Sequence, residues 1–150
     1  MVKNIIAWIL VIIFGTGFFN SCEWYCNSLV LYDGLYHKLF TICTVTYILN
    51  YIIMVGIFKN LTKYSFHTII IILVILIILK AGFVIMPYGL NLYDACNVTI
   101  GYLGKFLGIF LGILYFQKIK NIKFGLLYLI LIWIAIHIVQ PFINWEYIFR

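Results

Sequence analysis

The chain has 150 residues, of which 66% are hydrophobic and only 9% are charged, and its mean hydropathy is +1.15. Soluble domains are about half apolar and about a quarter charged, so this composition argues against a soluble protein. The net charge of +6 comes mainly from lysines at the ends of apolar segments, without interleaved stacking aromatics. We therefore expect the lipid bilayer, and no nucleic acid, as the partner of these basic residues.

Five apolar segments predict an all-α fold, a polytopic integral membrane helical bundle forming one transmembrane domain over 1–150. The predicted spans are 4–19, 39–58, 66–86, 98–116 and 124–142. About 20 residues cross a hydrocarbon core of about 30 Å, a length that the second, third and fifth spans satisfy. The first span is short and contains Gly15 and Gly17. A bundle of four spans is therefore the alternative.

The first segment has a second interpretation. Lys3, an apolar stretch and then Phe19-Asn20-Ser21-Cys22 loosely resemble a lipoprotein signal peptide, which would be cleaved after residue 21 and acylated on Cys22. Ser21 fits that pattern, whereas Phe19 and Asn20 fit it poorly. Four further spans would already anchor the product, so we expect an uncleaved first span.

The charges between the spans predict the orientation. With the amino terminus inside, the cytoplasmic stretches hold Lys3, Lys59, Lys63, Lys118, Lys120 and Lys123. The outer stretches hold Lys38, Arg150 and all four acids, which are Glu23, Asp33, Asp94 and Glu146. Basic residues concentrate in cytoplasmic loops, so the bias predicts N-in and C-out. We expect a location in the bacterial inner (plasma) membrane.

Two outer connections follow from these spans. The longer runs from Asn20 to Lys38, and its half Ser28–Tyr36 is too apolar for a free loop and too short to cross, which indicates an interfacial or re-entrant segment. The shorter, Pro87 to Asn97, joins the third and fourth spans as an outer loop.

The cysteines Cys22, Cys26 and Cys96 all fall on the predicted outer face. A structural disulfide, free thiols and redox exchange remain open, because Cys-Glu-Trp-Tyr-Cys has one residue more than a redox Cys-x-x-Cys motif. Zinc binding by these cysteines with His37 matches no compact ligand spacing. We expect no metal and no cofactor; haem at His137 would need a second histidine at matching depth.

Two lysines lie within the predicted spans at similar depth in the outer leaflet. Placing the charged side chain of Lys80 or Lys105 in hydrocarbon costs several kcal/mol, unless the side chain extends to the membrane surface or pairs with another group. One interpretation is that both snorkel outward and pair with acids. The other is an anion-binding site at Lys80, Lys105 and Asp94 for a phosphate, a carboxylate or a lipid headgroup, because two cations in one pocket favour an intervening anion.

Glycines at four-residue spacing in the fourth span, Gly104, Gly108 and Gly112, predict a flat helix face of the glycine-zipper type, against which another backbone packs closely. The partner is either another helix of the chain or a second subunit.

The sequence contains no catalytic triad, phosphate loop, metalloprotease helix or carboxylate within a span, so we expect no catalytic residues. Three function classes remain. The first is a non-catalytic membrane component that works through helix contacts with a membrane protein or a second copy: an accessory subunit, an assembly factor or an immunity-type protector. The second is a transporter or lipid-handling protein using Lys80 and Lys105. The third is a membrane thiol oxidoreductase.

Overall fold

The protein is a bundle of helices. The computed structural model describes residues 2–16, 33–88 and 92–139, with side chains over 2–13, 45–79, 102–136 and 138. Within these residues the chain forms five α-helices and no strand. The helices are α1 (Val2–Thr16), α2 (Asp33–Leu61), α3 (Phe66–Tyr88), α4 (Leu92–Lys118) and α5 (Ile122–Val139). The predicted all-α helical bundle is confirmed.

Two helices begin earlier than the apolar segments predicted. Helix α2 begins at 33 instead of 39, and α4 begins at 92 instead of 98. The predicted loop from Pro87 to Asn97 is shorter in the structure, because α3 continues to Tyr88 and α4 begins at Leu92. The outer location of this connection stays a prediction. Each early start has an acidic residue in its first turn, where the helix dipole favours a negative charge. An apolar segment marks only the part of a helix that is suited to hydrocarbon, so its length underestimates the length of the whole helix.

The connections α2–α3 and α4–α5 are fixed by short polar side chains. The Thr62 hydroxyl donates to the carbonyl of Phe58 (2.6 Å) and ends α2. Ser65 begins α3 by accepting the backbone N–H of Thr68 (3.1 Å). Asn121 begins α5, where its side-chain oxygen accepts the N–H of Phe124 (3.4 Å). Such caps satisfy N–H and carbonyl groups that a helix end leaves unpaired.

Helix α2 is the centre of the bundle. It packs most extensively against α4, then against α1 and α5. The buried core joins residues of α2 to residues of the other four helices. Its members include Ala7, Val11, Ile53, Met54, Val55, Phe58, Ile69, Leu73, Ile77, Ile109, Phe116 and Leu126. The three core residues of α3 follow one another at four-residue spacing, which places them on one face of the helix.

Contacts between helices also give their directions. Gly108 and Gly112 of α4 lie against Ile48 and Ile52 of α2, so the two helices run parallel. Asn50 of α2 lies level with Trp133 of α5, and Gly56 lies level with Leu126, so α5 runs antiparallel to both.

The surface of the bundle is largely apolar. Large hydrophobic side chains face outward on every helix for which side chains are described, for example Ile9, Ile71, Leu103 and Leu131. Over the described residues, none of the five helices has both the length and the apolar character needed to cross a membrane. The finer prediction, that the bundle spans a membrane, is therefore not confirmed.

Candidate functional site

The interface between α2 and α4 brings together the glycines and one of the lysines that the sequence singled out. Gly104, Gly108 and Gly112 are all buried. A Cβ atom on Gly108 would lie 2.5 Å from the carbonyl oxygen of Ile48 and 2.8 Å from the Cβ of Tyr51. Such distances are too short for a real Cβ, and the first obstacle is backbone, which cannot rotate aside. The backbones of α2 and α4 therefore approach each other at Gly108 as closely as glycine permits.

The close approach continues one turn further along α4. A Cβ on Gly112 would lie 3.1 Å from the Cα of Ile52 and 3.1 Å from the Cβ of Val55. These contacts are tight without being prohibitive, so a Cβ is accommodated more easily at Gly112 than at Gly108. The described contacts of both glycines are thus with a helix of the same chain.

A further glycine, Gly56, belongs to this packing, and the sequence analysis did not identify it. Built there, a Cβ would overlap the ring of Phe116 and lie 3.0 Å from the Cδ1 of Leu126. Gly56 therefore lets side chains of α4 and α5 meet against the backbone of α2. Gly56 is not part of a four-residue glycine repeat like the one in α4, so no spacing pattern could have identified it.

Lys105 lies in the same interface. Its side chain is only 6% exposed. The ammonium nitrogen is 4.2 Å from the ring centroid of Tyr102, one turn earlier on α4, and 5.0 Å from that of Tyr47 on α2. A cation over an aromatic face is attracted by the ring, by about 2 kcal/mol when both groups are desolvated. The two tyrosines therefore offset part of the cost of burying this charge.

A polar contact joins α2 to α5. The indole N–H of Trp133 donates to the side-chain oxygen of Asn50, which is buried. Thr46, one turn earlier on α2, is also buried. The polar side chains Thr46, Asn50 and Lys105 thus lie inside the bundle, although many leucines and isoleucines are exposed. The sequence shows Asn50 as a polar residue in an apolar segment, but it does not show that Trp133 is its partner.

The other predicted site residues are only partly described. Lys80 is in the second half of α3, and Asp94 and Cys96 are in the first two turns of α4. Their side chains fall outside the described part of the structure, so whether Lys80 and Asp94 join Lys105 stays a prediction. Cys22 and Cys26 lie outside the described residues. Across the portions described, no group of three or more His, Cys, Asp or Glu side chains is placed to hold a metal ion.

Lys105 permits a direct test of the anion-binding prediction. Lys105→Met keeps the length of the side chain and removes the charge, which abolishes both the cation–π attraction and the cost of burying an ion. We expect the variant to fold, with a melting temperature in detergent close to that of the unchanged protein. If Lys105 helps to bind an anion, inorganic phosphate raises the melting temperature of the unchanged protein and leaves that of the variant unaffected. An unchanged protein that does not respond to phosphate would contradict the anion site.

Comparison with known proteins gives no relative from which a role can be transferred: no family model, no curated protein and no solved structure matches this chain.

Proposed function

We propose that this chain is a small multi-pass protein of the bacterial inner (plasma) membrane that acts without catalysis, through helix contacts with a membrane partner. The partner is another membrane protein or a second copy of the chain. The roles that fit are an accessory subunit, an assembly factor and an immunity-type protector.

The observation that carries the proposal is the outer surface of α4 and α5. On α4 the side chains of Leu103, Phe106, Leu107 and Phe110 are exposed, and Leu103 is 60% exposed. On α5 the exposed apolar side chains are Phe124, Leu127, Tyr128, Leu131, Ile134 and Ile138. Contiguous apolar patches on soluble monomers rarely exceed a few hundred Å² and mark sites of protein or membrane contact when they do. The exposed apolar side chains of α4 and α5 support the proposal, because such surfaces contact lipid or another protein.

The interior supports the same proposal. Thr46, Asn50 and Lys105 are buried between helices, whereas much of the aliphatic surface points outward. In hydrocarbon, polar side chains face the bundle interior, and small residues at helix interfaces provide close packing. The buried glycines of α4 supply that packing here. A helix held in this way presents a fixed apolar face, and such a face is the means by which a non-catalytic membrane component contacts a partner.

The membrane location is tested by extraction. Membranes from cells that express the protein are washed with sodium carbonate at high pH and then dissolved in a mild detergent. We expect the protein to stay in the membrane pellet through the carbonate wash and to enter solution only with detergent, because carbonate removes proteins held by charge alone. Release by carbonate, or recovery in the soluble fraction, would refute the proposal.

The partner is tested on the detergent extract. Light scattering combined with refractive index gives the mass of protein in the complex without that of the detergent. A protein mass well above the 17.6 kDa of one chain is expected. If the protein mass equals that of one chain under the mildest conditions that keep the bundle folded, the proposed helix contacts with a partner are refuted.

A second candidate function rests on Lys105. A transporter or lipid-handling protein with an outer-leaflet anion site needs a buried cation, and Lys105 is one. The phosphate experiment above separates this candidate from the non-catalytic one. The thiol oxidoreductase stays a prediction that rests on the sequence alone.

A further inference from the structure

Five of the lysines whose side chains the structure describes gather at one end of the bundle, and we propose that this end binds the headgroups of anionic phospholipids in preference to zwitterionic ones. The surface, here called the basic end, consists of Lys59, Lys63, Lys118, Lys120 and Lys123. The inference rests on the proposed membrane location and goes beyond it, because it names the lipid class that the protein selects.

Contacts between helices establish that these lysines share one level of the bundle. Gly56 of α2 lies against both Phe116 of α4 and Leu126 of α5, so the three residues are level. Beyond that level come Lys59 on α2, Lys118 on α4 and, because α5 runs the other way, Lys123. Each is two or three residues further along its helix, which is within about 5 Å along the bundle axis. Lys59, Lys118 and Lys123 therefore lie at the same end of the bundle.

The two connections at this end complete the basic surface. Lys63 lies between α2 and α3, and Lys120 lies between α4 and α5. The side chains of Lys63, Lys118, Lys120 and Lys123 are exposed, whereas Lys59 is half-buried with its ammonium 4.6 Å from the ring centroid of Phe66. Four exposed cations and one held against an aromatic ring thus face the same region of solvent.

The acids of the helices lie far from the basic end. The sequence has no Asp or Glu in 34–93 or in 95–145. Asp94 is 24 residues before Lys118 on α4, and Asp33 is 26 residues before Lys59 on α2. At 1.5 Å per residue these separations are about 36 and about 39 Å, several times the screening length at physiological ionic strength. Neither acid neutralises the basic end, which therefore attracts anions.

The neighbouring apolar surface indicates which anion fits. Phe124, directly after Lys123, is 71% exposed, and Leu127 lies one turn further along α5 with its side chain also exposed. Leu114, one turn before Lys118 on α4, is exposed as well. Cations that directly border an apolar belt match a molecule with an anionic headgroup and acyl chains. A phospholipid has that form, and each lysine near an anionic membrane surface strengthens binding by about fivefold.

The test measures lipid preference around the reconstituted protein. The full chain is placed in vesicles of phosphatidylcholine with increasing amounts of brominated phosphatidylglycerol, and in parallel of brominated phosphatidylcholine. Bromine quenches the fluorescence of tryptophans in contact with the acyl chains. Trp8 is a suitable reporter because its ring packs edge-on against Phe58, one residue from Lys59. The ratio of the two quenching curves gives the relative binding constant of the anionic lipid.

Charge variants assign the preference to the basic end. The triple variant Lys118→Gln, Lys120→Gln, Lys123→Gln lowers the net charge from +6 to +3 (6 − 3 = 3), and the matched Lys→Arg triple variant preserves it. We expect a preference of roughly threefold or more in the unchanged protein and the arginine variant, and a fall toward one in the glutamine variant. Raising sodium chloride from 0.1 to 1 M shortens the screening length from about 10 to about 3 Å and is expected to reduce the preference of the unchanged protein.

Equal quenching by the two brominated lipids in the unchanged protein would overturn the inference, and so would a preference that survives in the glutamine variant. Failure of the underlying membrane location gives a different result, because a protein outside the bilayer is quenched by neither lipid. The salt series requires no substitution and decides the inference even if a variant fails to fold.

Discussion

Replacing Gly108 by alanine is expected to lower the melting temperature of the protein by several degrees, and replacing it by leucine is expected to prevent the native bundle from forming. Alanine is the better helix former by about 1 kcal/mol, so helix propensity alone predicts the opposite sign. The added Cβ would lie 2.5 Å from the carbonyl oxygen of Ile48, a backbone atom that moves only with the whole of α2. Overpacking of this kind costs about 1–3 kcal/mol, which exceeds the gain in propensity. Thermal unfolding in detergent measures the change.

Leu107→Phe is the matched control for Gly108. It adds atoms to the neighbouring residue of α4, whose side chain is 45% exposed. We expect its melting temperature to stay close to that of the unchanged protein. A Gly108→Ala variant that is as stable as the unchanged protein, or more stable, would show that α2 and α4 do not pack as closely as described here.

Phe58→Ala is expected to cost about 3–5 kcal/mol of unfolding free energy. Phe58 is fully buried. Its ring meets that of Trp8 edge-on at 5.3 Å between centroids and that of Tyr64 at 6.0 Å. Removing the ring therefore leaves a cavity where α1, α2 and the α2–α3 connection meet. Reversible unfolding of the protein in mixed micelles gives the free energy.

The same truncation at an exposed phenylalanine is the control. Phe124 is 71% exposed, so Phe124→Ala removes few contacts within the bundle and is expected to change the unfolding free energy by less than about 0.5 kcal/mol. Similar losses for the two variants would mean that Phe58 is not at the centre of the core. A loss confined to Phe58→Ala supports α2 as the central helix.

The fold class could be predicted from the sequence because it depends on local pattern. Long apolar runs without alternation specify helices. The helix boundaries were less accessible. Helices α2 and α4 extend beyond the apolar segments into stretches with acids and aromatics, which indicate neither helix nor loop. Hydropathy therefore placed the helix starts six residues late (39 against 33, and 98 against 92).

For the glycine face and for the buried lysine too, the sequence predicts local features, and the tertiary structure alone identifies the contacts. Spacing alone indicated that Gly108 and Gly112 lie on one face of α4, because helix geometry makes that a local property. Which helix covers that face is a property of the whole bundle, and only the tertiary structure identified it as α2. The pairing of Lys105 with Tyr47 and of Asn50 with Trp133 joins residues distant in sequence, and no local signal encodes such pairs.

The sequence by itself determined the chemical character of this protein: apolar helices, clustered lysines and acids kept apart from them. These properties belong to single residues and their neighbours, and folding does not change them. The tertiary structure decided which residues meet. It made α2 the centre, placed Gly56 level with Phe116 and Leu126, and thereby brought lysines from three helices to one end. The physical reason is that packing depends on the shapes of facing surfaces, and a surface exists only once its helices are placed together.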